Sequence, residues 1–313
     1  MSRMKEAPCP LCNSTEGKGL FEATDRLGLA KGQFTVFQCG SCGLAYLNPR
    51  PDDSELGGYY PGTYWGGRQK GLREYLRGLE EQTKERYKLE ALAKAGCGPC
   101  RIIDIGCGRG EFLAPLREKG FEVHGLEPGE EAARRGRTEY GIDIMHGTLG
   151  SAKLPDSYYD AATLWHVLEH LPDPMGALRD IKGSMKSGGR LFIAVPDFGG
   201  WQARVFKENW FGVDAPRHLT HFTRRSLTAM LEKAGFRVLM TSEGGVRYET
   251  AMLVRSLVPG LNRRKLDALE SGRISKYIYK AAQLVLDIGL LPFGALISAT
   301  GRGCTFVMVS EKV

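Results

Sequence analysis

Ten residues, Arg101 to Gly110, constrain this chain more than any other stretch: Arg-Ile-Ile-Asp-Ile-Gly-Cys-Gly-Arg-Gly. The β-branched run Ile102, Ile103 and Ile105 reads as a short strand buried on both faces, which the glycines stop abruptly. Gly106, Gly108 and Gly110 carry no Cβ, so the backbone there can turn tightly and approach a ligand closely. Phe112, Leu113 and Leu116 share one helical face, so a helix is expected to begin near Glu111. A glycine-rich turn between strand and helix aims free N–H groups outward and is a nucleotide site. Two carboxylates strengthen that reading. Asp104 lies in the strand itself, and Glu127 ends the next strand, Glu122-Val-His-Gly-Leu-Glu127, 17 residues past Gly110. A nucleotide-binding fold sets an acid there, on the ribose hydroxyls. The glycines do not follow Gly-x-Gly-x-x-Gly, which argues against a dinucleotide.

The same alternation continues downstream. Strands are expected at Ile142–Met145, Asp160–Trp165, Arg190–Val195, Phe236–Thr241 and Cys304–Ser310, with helices over Pro174–Lys186 and Ser226–Ala234. A further helix, from Lys70 to Ala95, carries Leu72, Leu76, Leu79, Thr83, Arg86 and Tyr87 near one stripe and ends at Gly96. Strands alternating with helices through right-handed crossovers build an α/β fold, a doubly wound sheet that binds its ligand at the carboxyl ends of the strands.

Asp-Ile-Gly-Cys-Gly-Arg-Gly at 104–110 resembles the first motif of class I S-adenosylmethionine-dependent methyltransferases. His166-Val-Leu-Glu169-His170-Leu is similar to the motif after the fourth strand of ubiquinone-type methyltransferases, and Pro216-Arg217-His218-Leu-Thr-His221-Phe222 to a string in the substrate-facing segment of some relatives. The resemblance implies a Rossmann-like sheet of seven strands whose last strand is antiparallel. It implies S-adenosylmethionine held by Asp104, Gly106, Gly108, Gly110 and Glu127. Thr148 and Leu149 would lie near adenine, Trp165 and His166 near the sulfonium. An acceptor hydroxyl needs a base, for which histidine is best matched near neutrality. His218 is the expected base, with His221 and Arg217 holding the acceptor, Arg217 through a phosphate; Asp214 would orient one histidine, and His166 is the rival base. His166-x-x-Glu169-His170 also matches an inverted zinc-protease motif, but that chemistry needs a helix, and here a strand runs straight into it.

Cys9-Pro-Leu-Cys12 and Cys39-Gly-Ser-Cys42, separated by 26 residues, supply four thiolates to one tetrahedral ion. Four cysteines with no open position indicate structural zinc, in a ribbon over residues 1–50 with a strand at Phe34–Gln38. Gly40 and Gly43 are expected to ease the second knuckle's turn. Cys97-Gly-Pro-Cys100 has a thioredoxin-like sequence, yet it precedes a strand instead of opening a helix, so a plain turn is expected. Residues 51–100 form an aromatic linker and the packing helix. Its loop, rich in Gly and Pro, carries Tyr59, Tyr60, Tyr64 and Trp65, which either cover the ligand site (Tyr59 and Tyr64 as substrate contacts) or clasp the ribbon.

The methyltransferase part, 101–313, holds a helical insertion at 245–302 before the last strand. Its run Ala281–Ala299 is nearly apolar but broken by Gln283, Asp287 and Pro292, which suits a hydrophobic cap, a homodimer contact or a peripheral membrane foot better than a spanning helix. The net charge of +7 is spread along the chain and demands no polyanion. The start lacks an apolar leader and the eight cysteines read as thiols and metal ligands, so a cytoplasmic location, with or without membrane association, is expected. The acceptor is expected to be a sugar, glycan or other small-molecule precursor, methylated on oxygen. C-methylation of a nucleotide-sugar, an RNA methyltransferase gripping RNA through the ribbon, and a non-catalytic scaffold are the alternatives. Lys18, Arg26 and Lys31 are the only cations between Cys9 and Cys42, thin for phosphate contacts.

Overall fold

The computed structural model describes residues 3–60, 86–258, 285–286 and 288–313. Two compact units emerge, each drawn from several chain segments.

One unit comprises Glu85–Val195, Arg225–Ser242 and Phe306–Val313 and carries the βα alternation. Its strands are β6 (Arg101–Ile105), β7 (Glu122–Glu127), β8 (Asp143–His146), β9 (Tyr159–Trp165), β10 (Met185–Pro196), β12 (Phe236–Glu243) and β13 (Thr305–Lys312), the last residues of some strands falling in the other unit. They form one seven-stranded sheet in the order β12-β13-β10-β9-β6-β7-β8. The pairs β6/β7, β6/β9, β7/β8 and β9/β10 are parallel. At the other edge the Gly244 N–H donates to the Thr305 carbonyl and the Val313 N–H to the Gly235 carbonyl, so β12 and β13 run antiparallel, as expected. β6 lies between β7 and β9, where the winding reverses, which makes its carboxyl end the topological switch point.

The central strands are apolar on both faces because helices cover both. Ile102, Ile103, Ala161, Ala162 and Leu191 to Val195 are fully buried. Each large aliphatic among them stabilises the fold by about 1.5–3 kcal/mol of transfer free energy. The helices are α1 (86–94), α2 (Leu113–Glu118), α3 (Glu130–Tyr140), α4 (Pro174–Ser184) and α6 (Arg224–Lys233). α4 starts where the Asp173 side chain accepts the Gly176 N–H at 2.8 Å ahead of Pro174 at the first position. α3 stops at Gly141, whose left-handed φ of 62° returns its N–H to the Arg137 carbonyl. Residues 70–85 of the expected Lys70–Ala95 helix lie outside the described residues.

The other unit comprises Met1–Lys84, Pro196–Arg224 and Glu243–Thr305. Its four-stranded sheet has the order β11-β4-β3-β2, from β2 (Gly17–Thr24), β3 (Gln33–Cys39), β4 (Ala45–Leu47) and β11 (Thr220–His221). A small ribbon pairs β1 (Met4–Lys5) with β5 (Arg50–Pro51). Helices α5 (Trp201–Phe206), α7 (Val246–Leu257) and α8 (Leu291–Ala299) belong here too. The two units do not follow the expected boundaries 1–50, 51–100 and 101–313. Residues 196–224 and 243–305 cluster with the N-terminal segment instead of the large sheet. The physical reason is direct pairing, Tyr46 with Thr220 and Ala45 with His221, and a shared core that includes Ala23, Val36, Leu47, Trp210, Leu219 and Met252. Of the insertion, residues 259–284 and 287 lie outside the described residues. Among those described, no helix is long and apolar enough to cross a membrane.

Candidate active site and candidate metal centre

The expected cofactor residues all sit at the carboxyl ends of β6, β7, β8 and β9. The turn after β6 carries three left-handed glycines, Gly106 (φ 70°), Gly108 (φ 58°) and Gly110 (φ 81°). They serve different ends. A Cβ on Gly106 would lie 2.7 Å from the Val167 side chain, and one on Gly110 would lie 2.8 Å from Ile142 Cδ1, so these two are glycine because neighbouring side chains fill the space. Over Gly108 nothing lies nearer than Glu111 Oε2 at 3.9 Å. Of the three, Gly108 is the one whose Cβ direction is open.

Glu127 closes β7 with no exposed surface. Its Oε2 accepts the Gly108 N–H at 2.9 Å and its Oε1 the Gly129 N–H at 2.7 Å. Burial raises its pKa, against which the two backbone N–H groups act. The carboxylate is thus fixed by the glycine turn on one side and the β7–α3 turn on the other, with a lone pair of each oxygen left to accept a hydroxyl. Buried Asp104 accepts the Thr163 hydroxyl of β9 at 2.6 Å through Oδ1. After β8, exposed Thr148 and half-buried Leu149 occupy a turn in which Ser151 Oγ accepts the Thr148 N–H at 2.9 Å.

His166 follows β9 in a left-handed conformation, φ 58°, a strain of about 1–3 kcal/mol for a residue other than glycine. Its N–H donates to the Ala194 carbonyl at 2.9 Å, and its Nδ1 lies 3.3 Å from Oε1 of buried Glu169. Leu168–His170 is a single 3-10 turn, so the spacing of the zinc-protease motif never reaches one helical face. Sequence reasoning missed an aromatic enclosure around Trp165. Phe112 and Tyr87 meet its ring edge-to-face at 5.3 and 6.0 Å, and the Lys88 ammonium stands 5.7 Å from the ring centre. The Trp165 indole N–H is buried with no acceptor among the described residues, an orphaned donor of the kind a bound polar group satisfies.

The expected acceptor-binding residues fall in the other unit, together with the cysteines. Arg217 does not meet solvent. Its side chain is fully enclosed, with Nε and Nη2 donating to the two oxygens of Asp214 at 3.1 and 2.6 Å, and Nη2 also to Asp25 Oδ1 at 2.6 Å. Burial works to lower its pKa, but the Asp214 and Asp25 carboxylates overcome this and leave it raised. Asp25 in turn accepts the N–H groups of Leu27, Leu29 and Ala30 at 2.7–2.8 Å. Arg217 is thus an internal clamp between the β2–β3 loop and the Asp214 turn, which corrects its assignment to an acceptor phosphate.

Buried His218 sits one residue on, with Nδ1 2.8 Å from the Gly212 carbonyl and Nε2 3.9 Å from Asp214 Oδ2. A carbonyl only accepts, so Nδ1 carries the proton and Nε2 is the basic nitrogen. His221, in β11, is buried and stacks on Phe198 at 5.3 Å. Tyr59 is buried at the end of a short 3-10 helix, Asp53–Tyr59, and Tyr64 lies outside the described residues.

Cys9, Cys12, Cys39 and Cys42 converge, their sulfur atoms all within 4.8 Å of one another, with Cys9–Cys42 at 3.5 Å and Cys12–Cys39 at 3.4 Å. A tetrahedral zinc with bonds of ~2.3 Å has S–S edges of about 3.8 Å, so the cluster fits the ion. Left-handed turns at Asn13 (φ 64°), after the first knuckle, and Gly43 (φ 77°), after the second, accompany the convergence of the sulfurs. The Tyr46 hydroxyl of β4 is buried with no hydrogen-bond partner among the described residues, and burial, then the surrounding cysteine charges, push its pKa up to about 12. Cys97 and Cys100 stand apart, Sγ to Sγ 3.9 Å, in the loop before β6.

A family model described as a methyltransferase domain matches residues 64–241. Over 101 residues the chain is 36% identical to the ubiquinone biosynthesis O-methyltransferase of Aeromonas salmonicida (strain A449), a match covering 30% of this chain and 42% of that protein. Over 107 residues it is 28% identical to the protein of the same name from Pseudomonas aeruginosa (strain LESB58), covering 32% and 46%. The matches span less than half the length of these curated relatives. Among solved structures, a protein of Galdieria sulphuraria provisionally named a sarcosine dimethylglycine methyltransferase aligns with a TM-score of 0.52 at 16% identity, over 75% of this chain and 87% of that one, and shows the same fold.

Proposed function

The chain belongs to the methyltransferase domain family, and from that premise we propose that it uses S-adenosylmethionine to methylate a hydroxyl of a sugar, glycan or other small-molecule precursor. The observation that carries the cofactor half of this reading is the Glu127 carboxylate, held by the Gly108 and Gly129 N–H groups, with Gly108 the glycine of this turn whose Cβ direction is open. Glu127 would take the ribose hydroxyls, Gly108 the close approach, Thr148 and Leu149 the adenine edge. The Trp165 indole N–H and His166 would lie toward the reacting end. When bound, S-adenosylmethionine supplies the sulfonium methyl and the thioether leaving group. The protein's own part is alignment and proton removal.

An alcohol is too weak an acid to ionise at neutral pH, so its proton leaves as the O–C bond forms. His218 Nε2 accepts it, because Nδ1–H is engaged by the Gly212 carbonyl and the imidazolium that forms gains from the Asp214 carboxylate. Cys9, Cys12, Cys39 and Cys42 would hold a structural zinc that ties together the ribbon whose β4 pairs with β11, the strand of His221. Against RNA as acceptor, the Arg26 guanidinium donates to the Arg255 and Ser256 carbonyls, which reduces further the few ribbon cations open to phosphate.

Incubation with methyl-labelled donor and separate nucleotide-sugar, glycan, lipid and RNA fractions tests the acceptor class. Label is expected in a sugar or small-molecule hydroxyl. His218→Ala should lower turnover by about 100-fold or more with cofactor affinity unchanged. Full turnover in His218→Ala with collapse in His166→Ala would move the base to the turn after β9, and label confined to RNA would overturn the acceptor assignment.

A further inference from the structure

We infer that the surface built by α8, α5 and the residues between α8 and β13 is a docking site for an anionic phospholipid bilayer. From Ile288 to Gly301 the chain has no charged residue. α8 packs on α7 through Gly294, where a Cβ would lie 2.3 Å from Thr250 Oγ1, so one face of α8 is turned inward at close range. The opposite face is apolar and in water. Pro292, Phe293, Ala295, Leu296 and Ala299 are exposed, Leu296 by 63%. Upstream, Val285 and Ile288 are exposed by 69% and 58%. An apolar set of this size on a water-facing helix marks an interaction site more than a tolerated irregularity.

Its neighbours decide the occupant. Phe293 meets Trp201 of α5 edge-to-face at 5.5 Å, and Trp201 lies 6.2 Å from Phe206. The Trp201 N–H donates to the Arg302 carbonyl at 3.4 Å, which brings α5 and the end of α8 onto one surface. That surface adds exposed Val205 (64%), the exposed cations Arg204, Lys207 and Arg302, and one exposed acid, Glu208, so its charge is net positive. Half-buried Trp and Phe beside solvent-facing aliphatics, with arginine and lysine around them, match the layered chemistry of a bilayer surface: acyl boundary, aromatic interface, anionic headgroups. A second copy of the chain would bring the same cations to the contact, where they repel.

The test is co-sedimentation of the full chain with vesicles of phosphatidylcholine, plain or with about one-quarter phosphatidylglycerol, at low and moderate salt. The chain should pellet with anionic vesicles, weakly with neutral ones, and release only in part as salt rises. Ile288→Glu with Leu296→Glu should cut the bound fraction at least tenfold while leaving the far-UV circular dichroism melt unchanged. Arg204→Glu with Lys207→Glu should abolish the preference for phosphatidylglycerol while leaving the residual apolar binding. No pelleting with either vesicle would overturn the inference, as would pelleting that the two glutamates at 288 and 296 leave intact. So would a dimer, seen by light scattering, that those glutamates split without any vesicle binding, since the patch would then belong to a second copy.

Discussion

Replacing Arg217 with leucine separates two roles that the sequence alone does not distinguish. The guanidinium makes three hydrogen bonds to carboxylates, two to Asp214 and one to Asp25, with no exposed side-chain surface. Leucine fills much of the volume but takes this counter-ion from both buried carboxylates. Removing one partner of a buried ion pair costs about 3–5 kcal/mol. The damage is uneven. Asp25 keeps the N–H groups of Leu27, Leu29 and Ala30, whereas Asp214 loses its two bonds to the guanidinium. Arg217→Leu should therefore destabilise its unit by about 3–5 kcal/mol, and adding Asp214→Asn, which removes the worse-placed charge, should recover more than ~1 kcal/mol of that. The assay is urea unfolding followed by tryptophan fluorescence, since Trp210 is wholly buried in the same core and reports on it. An Arg217→Leu chain as stable as wild type, but with weakened acceptor binding, would refute the clamp and return Arg217 to the acceptor.

Three further outcomes are expected. Gly108→Ala should weaken cofactor binding at a cost of about 1–2 kcal/mol for its left-handed φ of 58°, whereas Gly110→Ala should destabilise the sheet unit by more, adding a clash with Ile142 to a strained φ of 81°; calorimetry and thermal melts of both variants separate the two effects. Elemental analysis should find one zinc per chain, lost in Cys39→Ser and retained in Cys97→Ser, because only the first belongs to the converging set. The Arg101 guanidinium, then His124, hold the Glu122 carboxyl down at about 2. A folded pKa below the unfolded one contributes stability that is present above the ordinary carboxylate range and lost as pH falls toward 2. The stability gap between wild type and Glu122→Gln should therefore close as pH falls from about 5 to 2 in acid-unfolding curves.

The large sheet was legible because its signals are local. β-branched runs, glycine turns and helical stripes recur within windows of a dozen residues, and the expected strands differ from the observed ones by a few residues at their ends. Glu127 was legible for the same reason, since strand and turn fix where its side chain falls. Arg217 was not. Its second partner, Asp25, lies 192 residues earlier, and a guanidinium beside two histidines reads equally as a ligand contact or as a clamp. The pairing of β11 with β4 was equally hidden, because a strand of two residues, Thr220–His221, has no periodicity to read. The glycine turn was legible only in part. Three glycines in a nucleotide-type motif read alike, yet two of them also leave room for the Val167 and Ile142 side chains, a packing demand that only three-dimensional neighbours reveal.

Calorimetric titration of S-adenosylhomocysteine into the full chain and into Glu127→Ala tests the central claim most directly. It reads the cofactor site without requiring the acceptor to be known. Wild type should bind one equivalent. Glu127→Ala, which removes the acceptor fixed by Gly108 and Gly129 and leaves their N–H groups orphaned, should lose about 1–3 kcal/mol of binding free energy, roughly a five- to 150-fold weaker affinity. Absence of binding to the wild-type chain, or equal affinity in the two, would contradict the assignment of the cofactor to the carboxyl ends of β6 and β7.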